Sequence, residues 1–182
     1  MSILTRDPLL AFARGLLYFL LAVLGFAAAM LILAAIIVPF AGDRIVSEMA
    51  REGIANGRTL VPALSVLLLA IGGLLGLAMY FMRQLLAIVV SVSEGDPFVP
   101  ANAERLSRMG WTALTGHLLA LPVGALVLWF THEVKDGANG KLVIEDHISI
   151  SLSGIMLILT LFILARVFRQ GAMMRAELEG TV

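Results

Sequence analysis

The chain has 182 residues, no cysteine and a net charge of zero, with 13 basic and 13 acidic residues. Hydrophobic residues make up 60% and charged residues 14%, against roughly 45–50% and about 25% in soluble domains, so a soluble fold could not cover the apolar surface. The missing cysteines exclude disulfides, thiolate catalysis and cysteine-ligated metals, and the balanced charge gives no basis for direct nucleic-acid binding.

Four apolar segments are each long enough to cross a bilayer, which takes about 20 helical residues. Because backbone polar groups find no water partner in lipid, each span must be a helix. We therefore predict an all-α membrane protein in which residues 1–182 form a single four-helix transmembrane bundle. The spans are predicted at residues 16–38, 60–82, 111–130 and 150–168.

Lysine and arginine residues in the flanking segments predict the orientation of the bundle. With the N-terminus inside, the inner segments carry 8 of these residues and the outer loops carry 5. The excess on the inner side predicts that both termini lie in the cytoplasm.

The two outer loops carry different local patterns. In the first, Ile45, Val46 and Met49 share a helical face before Gly53, which predicts a short helix on the membrane surface. The second loop covers residues 131–147, where turn residues at 136–140 precede a β-branched run, so we expect a small hairpin.

The inner loop and the C-terminal tail carry the most distinctive sequence. Residues 95–100 predict a turn, after which a helix begins near Pro100 and runs into the third span. Its apolar face comprises Leu106, Met109, Gly110 and Ala113. The tail continues the fourth helix and either frays after Gly171 or ends near Gly180.

Two stretches together with the four-span layout resemble a known family. They are Gly95-Asp96-Pro97-Phe98-Val99-Pro100, followed by Asn102, Arg105, Leu106, Gly110 and Trp111, and the tail from Arg166 to Val182. The chain resembles the domain-of-unknown-function 2975 family (DUF2975) of small bacterial membrane proteins. The resemblance implies a location in the bacterial inner membrane. Family members are often encoded beside a small helix-turn-helix regulator, which implies a cytoplasmic protein partner.

The four-span layout and the family resemblance lead to the hypothesis that the chain is a signalling or regulatory membrane protein. On this hypothesis it is not an enzyme and holds no cofactor. The outer loops would sense a condition, and the inner loop and tail would hold or release the regulator. The candidate docking residues are Asp96, Pro97, Phe98, Asn102, Arg105, Arg169, Arg175 and Glu177. Membrane lipid and a second copy of the chain are further expected partners.

The alternative hypothesis is a small oligomeric transporter or channel subunit. It predicts a polar path lined by Ser65, Arg83, Thr112, Thr115 and His117. His117 is the only histidine in a predicted span, and Arg83 follows the second span. An ionisable residue inside a membrane is a functional candidate. However, no acidic residue lies in a span to form a relay with His117, so a neutral, hydrogen-bonded imidazole is the simpler interpretation. For Arg83, a position at the interface avoids the cost of burial in lipid.

The charged second outer loop and the glycines of the second span each allow two interpretations. A hairpin in the second outer loop would bring His132 and Glu133 near Asp146 and His147, a set that could bind a divalent ion. Their spacing matches no established metal motif, so a solvated acidic loop is favoured. The GxxxG pattern at residues 72–76 supports either packing within the bundle, which is favoured, or dimerisation.

Overall fold

The computed structural model describes residues 8–54, 56–137 and 151–179. Within these ranges the chain forms five α-helices and no strand. They are α1 (Pro8–Phe40), α2 (Gly42–Arg51), α3 (Gly57–Ser93), α4 (Pro100–Gly137) and α5 (Leu152–Glu179). The all-α prediction is confirmed for the described residues. The hairpin expected in the second outer loop, with Asp146 and His147, falls mainly on residues outside them.

Four of the helices are long and apolar enough to cross a membrane, namely α1, α3, α4 and α5. The chain is therefore a multi-pass membrane protein with four spans, as predicted. The helix boundaries differ from the predicted spans, because each helix continues past its apolar stretch. α1 has 33 residues, α3 has 37, α4 has 38 and α5 has 28.

The length of α3 bears on the position of Arg83. A helix rises about 1.5 Å per residue, so α3 is about 55 Å long, whereas the hydrocarbon core is about 30 Å thick. A large part of α3 must therefore lie outside the hydrocarbon. Arg83 lies ten residues before the end of this helix, and its side chain is exposed. This placement fits an interfacial arginine.

The predicted helix in the first outer loop is present as α2. Ile45, Val46 and Met49 are half-buried, whereas the charged residues of α2 are exposed. The helix ends at Arg51, and the chain turns at Gly53, which has a φ of +85°, a conformation that glycine adopts without steric cost. The Ile54 N–H donates to the Met49 carbonyl at 2.8 Å, which closes the end of the helix.

By their contacts, the described residues form two compact units. The first contains the described residues 8–24, 77–117 and 151–179. Its core is built by the second half of α3, the first half of α4 and α5. The buried residues are Ile88, Leu106, Met109, Leu161 and Ala165, with Phe81, Leu85, Val92, Ala113 and Phe168 packed around them. The predicted apolar face of α4 is therefore the face that this core buries.

The second unit contains the described residues 25–54, 56–76 and 118–137. Here Leu60 is fully buried near the start of α3. A side chain at Gly72 would lie 3.6 Å from Ile32 Cγ1 on α1, so this glycine packs within the chain. Gly76 has no described atom within 4 Å of the position of a Cβ. Only one glycine of the GxxxG pattern is thus used in packing among the described residues.

The tail forms regular helix through Glu179. The expectation of an end near Gly180 agrees with this boundary, and the alternative of fraying after Gly171 is wrong. Ala172, one residue beyond that glycine, is buried. Tertiary packing therefore supports the helix where glycine alone would weaken it.

Candidate functional site

The second half of α3 ends in a tight turn at Gly95, whose φ is +88°. The Asp96 N–H donates to the Ser91 carbonyl at 3.2 Å, and the Gly95 N–H donates to the Val92 carbonyl at 3.1 Å. This pair of bonds is the Schellman arrangement, which satisfies the last carbonyls of a helix. The turn predicted at residues 95–100 is confirmed, and its conformation depends on glycine.

Asn102 lies beneath this turn and has no exposed surface. Its Nδ2 donates to Ser91 Oγ and to the Pro97 carbonyl, both at 2.9 Å, and its Oδ1 accepts from Arg105 Nη1 at 2.8 Å. A buried amide is tolerated only when it is hydrogen-bonded. Asn102 therefore joins the end of α3, the turn and the first turns of α4.

Ser91 and Arg105 extend this network to the backbone of α3 and of the turn. The Ser91 hydroxyl donates to the Asp96 carbonyl at 2.7 Å, in addition to accepting from the Asn102 amide. Arg105 Nη1 also donates to the Ala87 carbonyl at 3.2 Å. The guanidinium thus bridges α4 to α3, and its bonds leave the conformation of the turn little freedom.

The tail reaches the turn through Phe98. The ring of Phe98 lies 5.3 Å from that of Phe168, with the ring planes tilted by 43°. The same ring lies over Gly171, where a Cβ would stand 2.7 Å from Phe98 Cδ1. Such a distance is shorter than carbon atoms tolerate, so the contact requires glycine at position 171.

A charged contact accompanies this aromatic one. Arg175 Nη1 donates to Asp96 Oδ1 in an ion pair whose side chains are 47% and 37% exposed. Exposed pairs contribute at most about 1 kcal/mol, so this bond aligns the tail more than it stabilises it. We call the five residues Asp96, Phe98, Phe168, Gly171 and Arg175 the loop–tail junction.

The candidate docking residues fall into three groups. Asp96, Phe98 and Arg175 belong to the loop–tail junction. Pro97, Asn102 and Arg105 form the hydrogen-bonded support beneath it. Arg169 and Glu177 lie on exposed positions of α5 outside the junction. The structure thus brings six of the eight together in one place.

Arg83 lines a groove of about 430 Å³ in the same unit. The groove also contains Arg105 and Glu94, so both charge signs meet in it. Its remaining lining residues are Tyr18, Leu21, Leu86, Ala87, Val90 and Ser91. Thr112, Thr115 and His117 are not among them.

His117 on α4 packs against Gly154 on α5. A Cβ at Gly154 would overlap the imidazole, with Nδ1 at 2.8 Å and Nε2 at 3.0 Å. Among the described residues, the ring has no hydrogen-bond partner. The nearby Thr112 hydroxyl donates to the Arg108 carbonyl of its own helix at 2.8 Å. His117 therefore acts in the packing of α4 on α5 rather than as part of a described polar network.

Arg14 connects α1 to the end of α3. Its Nη2 donates to the Ser93 hydroxyl, which itself donates to the Val90 carbonyl at 2.5 Å. Arg14 Nε is buried and has no partner among the described residues. The start of α1 is thus fixed to the helix that leads into the turn.

In the second unit, Glu133 is engaged in a contact with the first outer loop. Asn56 Nδ2 donates to Glu133 Oε2 at 2.8 Å. His132 beside it is exposed. The described residues contain no group of three or more histidine, aspartate or glutamate side chains that could hold a metal ion. Since Asp146 and His147 lie outside the described residues, the metal hypothesis stays a prediction.

The residues that the sequence did not reveal are Ser91, Phe168 and Gly171. A serine near a helix end and a phenylalanine at the end of a span are common, so neither stands out. Gly171 did carry a signal, because a glycine inside a helical pattern often marks a close approach of another group. Its partner, Phe98, is 73 residues away, and no local pattern links the two.

Comparison with known proteins finds one matching family. A family model described as a protein of unknown function, DUF2975, matches residues 45–182. The match includes both the turn and the tail. No curated protein and no solved structure matches the chain.

Proposed function

We propose that this chain, which belongs to the DUF2975 family, is a signalling or regulatory protein of the bacterial inner membrane. Its loop–tail junction would face the cytoplasm and hold a soluble regulator of the helix-turn-helix type. The type of regulator follows from the family resemblance, whereas the docking site follows from the geometry of the junction.

The observation that carries the proposal is the attachment of the tail to the turn. Residues 96 and 98 contact residues 168, 171 and 175 through an ion pair, a ring pair and a glycine contact. An ordered tail loses less conformational entropy when a partner binds. The junction therefore prepares the tail for binding.

The tail also offers apolar surface beyond the junction. Met173 and Met174 are 53% and 61% exposed. Methionine side chains adapt their shape to a partner and are common on docking surfaces. Both lie after the last apolar residues of the fourth span, so lipid need not cover them. Met174 is the better probe, because it lines none of the described grooves.

The arrangement of polar residues gives less support to the transporter alternative. That hypothesis expects the polar residues of the spans to line one cavity. The groove that contains Arg83 does not include His117, Thr112 or Thr115. His117 instead fills a space at Gly154. These placements favour the regulatory proposal.

The test is a crosslinking pull-down from native membranes with the intact chain and with a chain truncated after Phe168. We expect a helix-turn-helix protein to be captured by the intact chain and lost on truncation, which removes Gly171 and Arg175. Met174→Glu should reduce capture about tenfold, since it places a charge on the exposed face, and Met174→Leu should leave capture unchanged. Equal capture by the truncated chain would rule out docking on the tail.

A further inference from the structure

A second groove, distinct from the one at Arg83, lies between α4 and α5 in the first unit. It has a volume of about 370 Å³. Its lining combines basic, polar and apolar side chains: Ser107, Phe162, Ala165, Arg166, Arg169, Gln170 and Met173. Of these residues, Arg169 and Met173 also belong to the proposed regulatory surface, whereas Arg166 and the groove itself have no part in the regulatory proposal.

The lining residues of α5 form one stripe along the helix. Phe162, Arg166, Arg169 and Met173 follow one another at spacings of four, three and four residues, which places them on a single helical face. The apolar end at Phe162 and the basic centre of this stripe match an elongated ligand in which an anionic group is joined to an apolar chain.

The apolar end of the groove is rigid. Phe162 packs against Gly110, where a Cβ would stand 3.1 Å from its ring, and against Trp111, with ring centroids 5.6 Å apart. The two rings meet edge to face at 78°, a favourable aromatic geometry. Ala165 between the helices is buried. The pocket wall is therefore preformed on the apolar side.

The two arginines of the stripe are available to a ligand. Both are exposed, and within the part of the chain that the structure describes neither has an ion-pair or hydrogen-bond partner. Four other arginines of this unit are engaged, and the first of them is Arg14, which donates to Ser93. Arg105 binds Asn102, Arg108 pairs with Glu104 at 3.4 Å, and Arg175 pairs with Asp96.

The groove also lies at the level where a membrane would end. On α5, the apolar run at residues 161–165 stops at Arg166, and on α4 Trp111 begins the apolar stretch that follows Ser107. Tryptophan and arginine are typical of the interface between hydrocarbon and headgroups. The arginines would thus meet phosphate while the apolar end contacts an acyl chain.

We infer that this groove binds an anionic phospholipid, with Arg166 and Arg169 on its phosphate and Phe162 along its acyl chain. Guanidinium groups form paired, charge-assisted hydrogen bonds to phosphate. A neutral zwitterionic lipid offers the same phosphate with a compensating ammonium group, so it should bind more weakly. The inference does not depend on a protein partner of the tail.

The test is native mass spectrometry of the purified full-length chain in detergent, with dioleoyl-phosphatidylglycerol or dioleoyl-phosphatidylcholine added. We expect the anionic lipid to bind at least about tenfold more tightly. The double variant Arg166→Gln/Arg169→Gln should bind it about 30-fold more weakly, which corresponds to about 2 kcal/mol, or about 1 kcal/mol for each arginine. Arg108→Gln, which removes an arginine outside the groove, should change nothing.

A further variant and a competition experiment test whether the bound molecule is a lipid and whether it lies in this groove. Ser107→Phe keeps both arginines but fills the groove, and it should also weaken binding of the anionic lipid. Glycerol 3-phosphate in hundredfold excess should not displace the lipid, because it lacks the acyl chains. Unchanged binding by the double variant or by Ser107→Phe would overturn the inference, as would displacement by glycerol 3-phosphate.

Discussion

Replacement of Asn102 by leucine is expected to lower the free energy of unfolding by about 3 kcal/mol. The two side chains have the same number and branching of heavy atoms, but leucine leaves the Pro97 carbonyl and the Arg105 guanidinium without a hydrogen bond that Asn102 provides. A buried polar group that loses its partner costs about 1–3 kcal/mol. For a chain of this size, the melting temperature should fall by about 6–12 °C.

The fluorescence of Trp111 can report this change in a Trp129→Phe background, since the chain contains only 2 tryptophans. Trp111 is in the same unit as Asn102 and packs on Phe162. Asn56→Leu is the matched control, because Asn56 is exposed and its bond to Glu133 is replaceable by water. Equal melting temperatures for the two leucine variants would refute the assigned role of Asn102.

Replacement of Gly171 by leucine is expected to separate the tail from the turn. A Cβ at position 171 would stand 2.7 Å from Phe98 Cδ1, so the ring must leave its place beside Phe168. Overpacking of this kind costs about 1–3 kcal/mol. Leucine is also the better helix former, so loosening of the tail would report the lost contact and not a weaker helix.

Limited digestion with trypsin measures this loosening at Arg175. Cleavage follows the population of the open state when closing is fast, so the lost contact should raise the rate about tenfold. The second substitution Phe98→Ala should restore protection, because it makes room for leucine. Gly15→Leu serves as the control, since no described atom lies within 4 Å of its Cβ position. Unchanged cleavage in Gly171→Leu would contradict the proposed contact.

The secondary structure was predictable because local patterns dictate it. Long apolar runs must be helical in lipid, and Gly53 and Gly95 mark the helix ends where a positive φ is needed. The apolar face of α4 was predictable for the same reason, since helical periodicity alone places Leu106 and Met109 on one side. The helices extend beyond the predicted spans, because hydropathy shows where lipid begins and not where a helix ends.

The loop–tail junction was not predictable from local patterns. The family resemblance selected both segments, but it gave no sign that they touch. Their contact depends on how α4 and α5 pack, which follows from tertiary interactions such as the contact of Phe162 with Gly110. The docking residues predicted from the sequence also include both buried and exposed positions. Asn102 is fully buried, whereas Arg169 is exposed.

The regulatory account requires that Phe98 rests on Gly171 in the membrane-embedded protein. The measurement that tests this most directly is disulfide formation in the double variant Phe98→Cys/Gly171→Cys. The chain has no other cysteine. The Cβ position at 171 lies 3.5 Å from Phe98 Cγ, the atom that a cysteine sulfur would replace, so a small shift brings the pair within bonding geometry.

In native membranes under mild oxidation, the account predicts an intramolecular disulfide in nearly all copies of this variant. The pair Phe98→Cys/Met173→Cys provides the control, because Met173 points to the other side of α5, about 200° further around the helix. A free-thiol count by maleimide labelling distinguishes the two. Disulfide formation in the first pair alone would support the loop–tail junction, and free thiols in both pairs would contradict it.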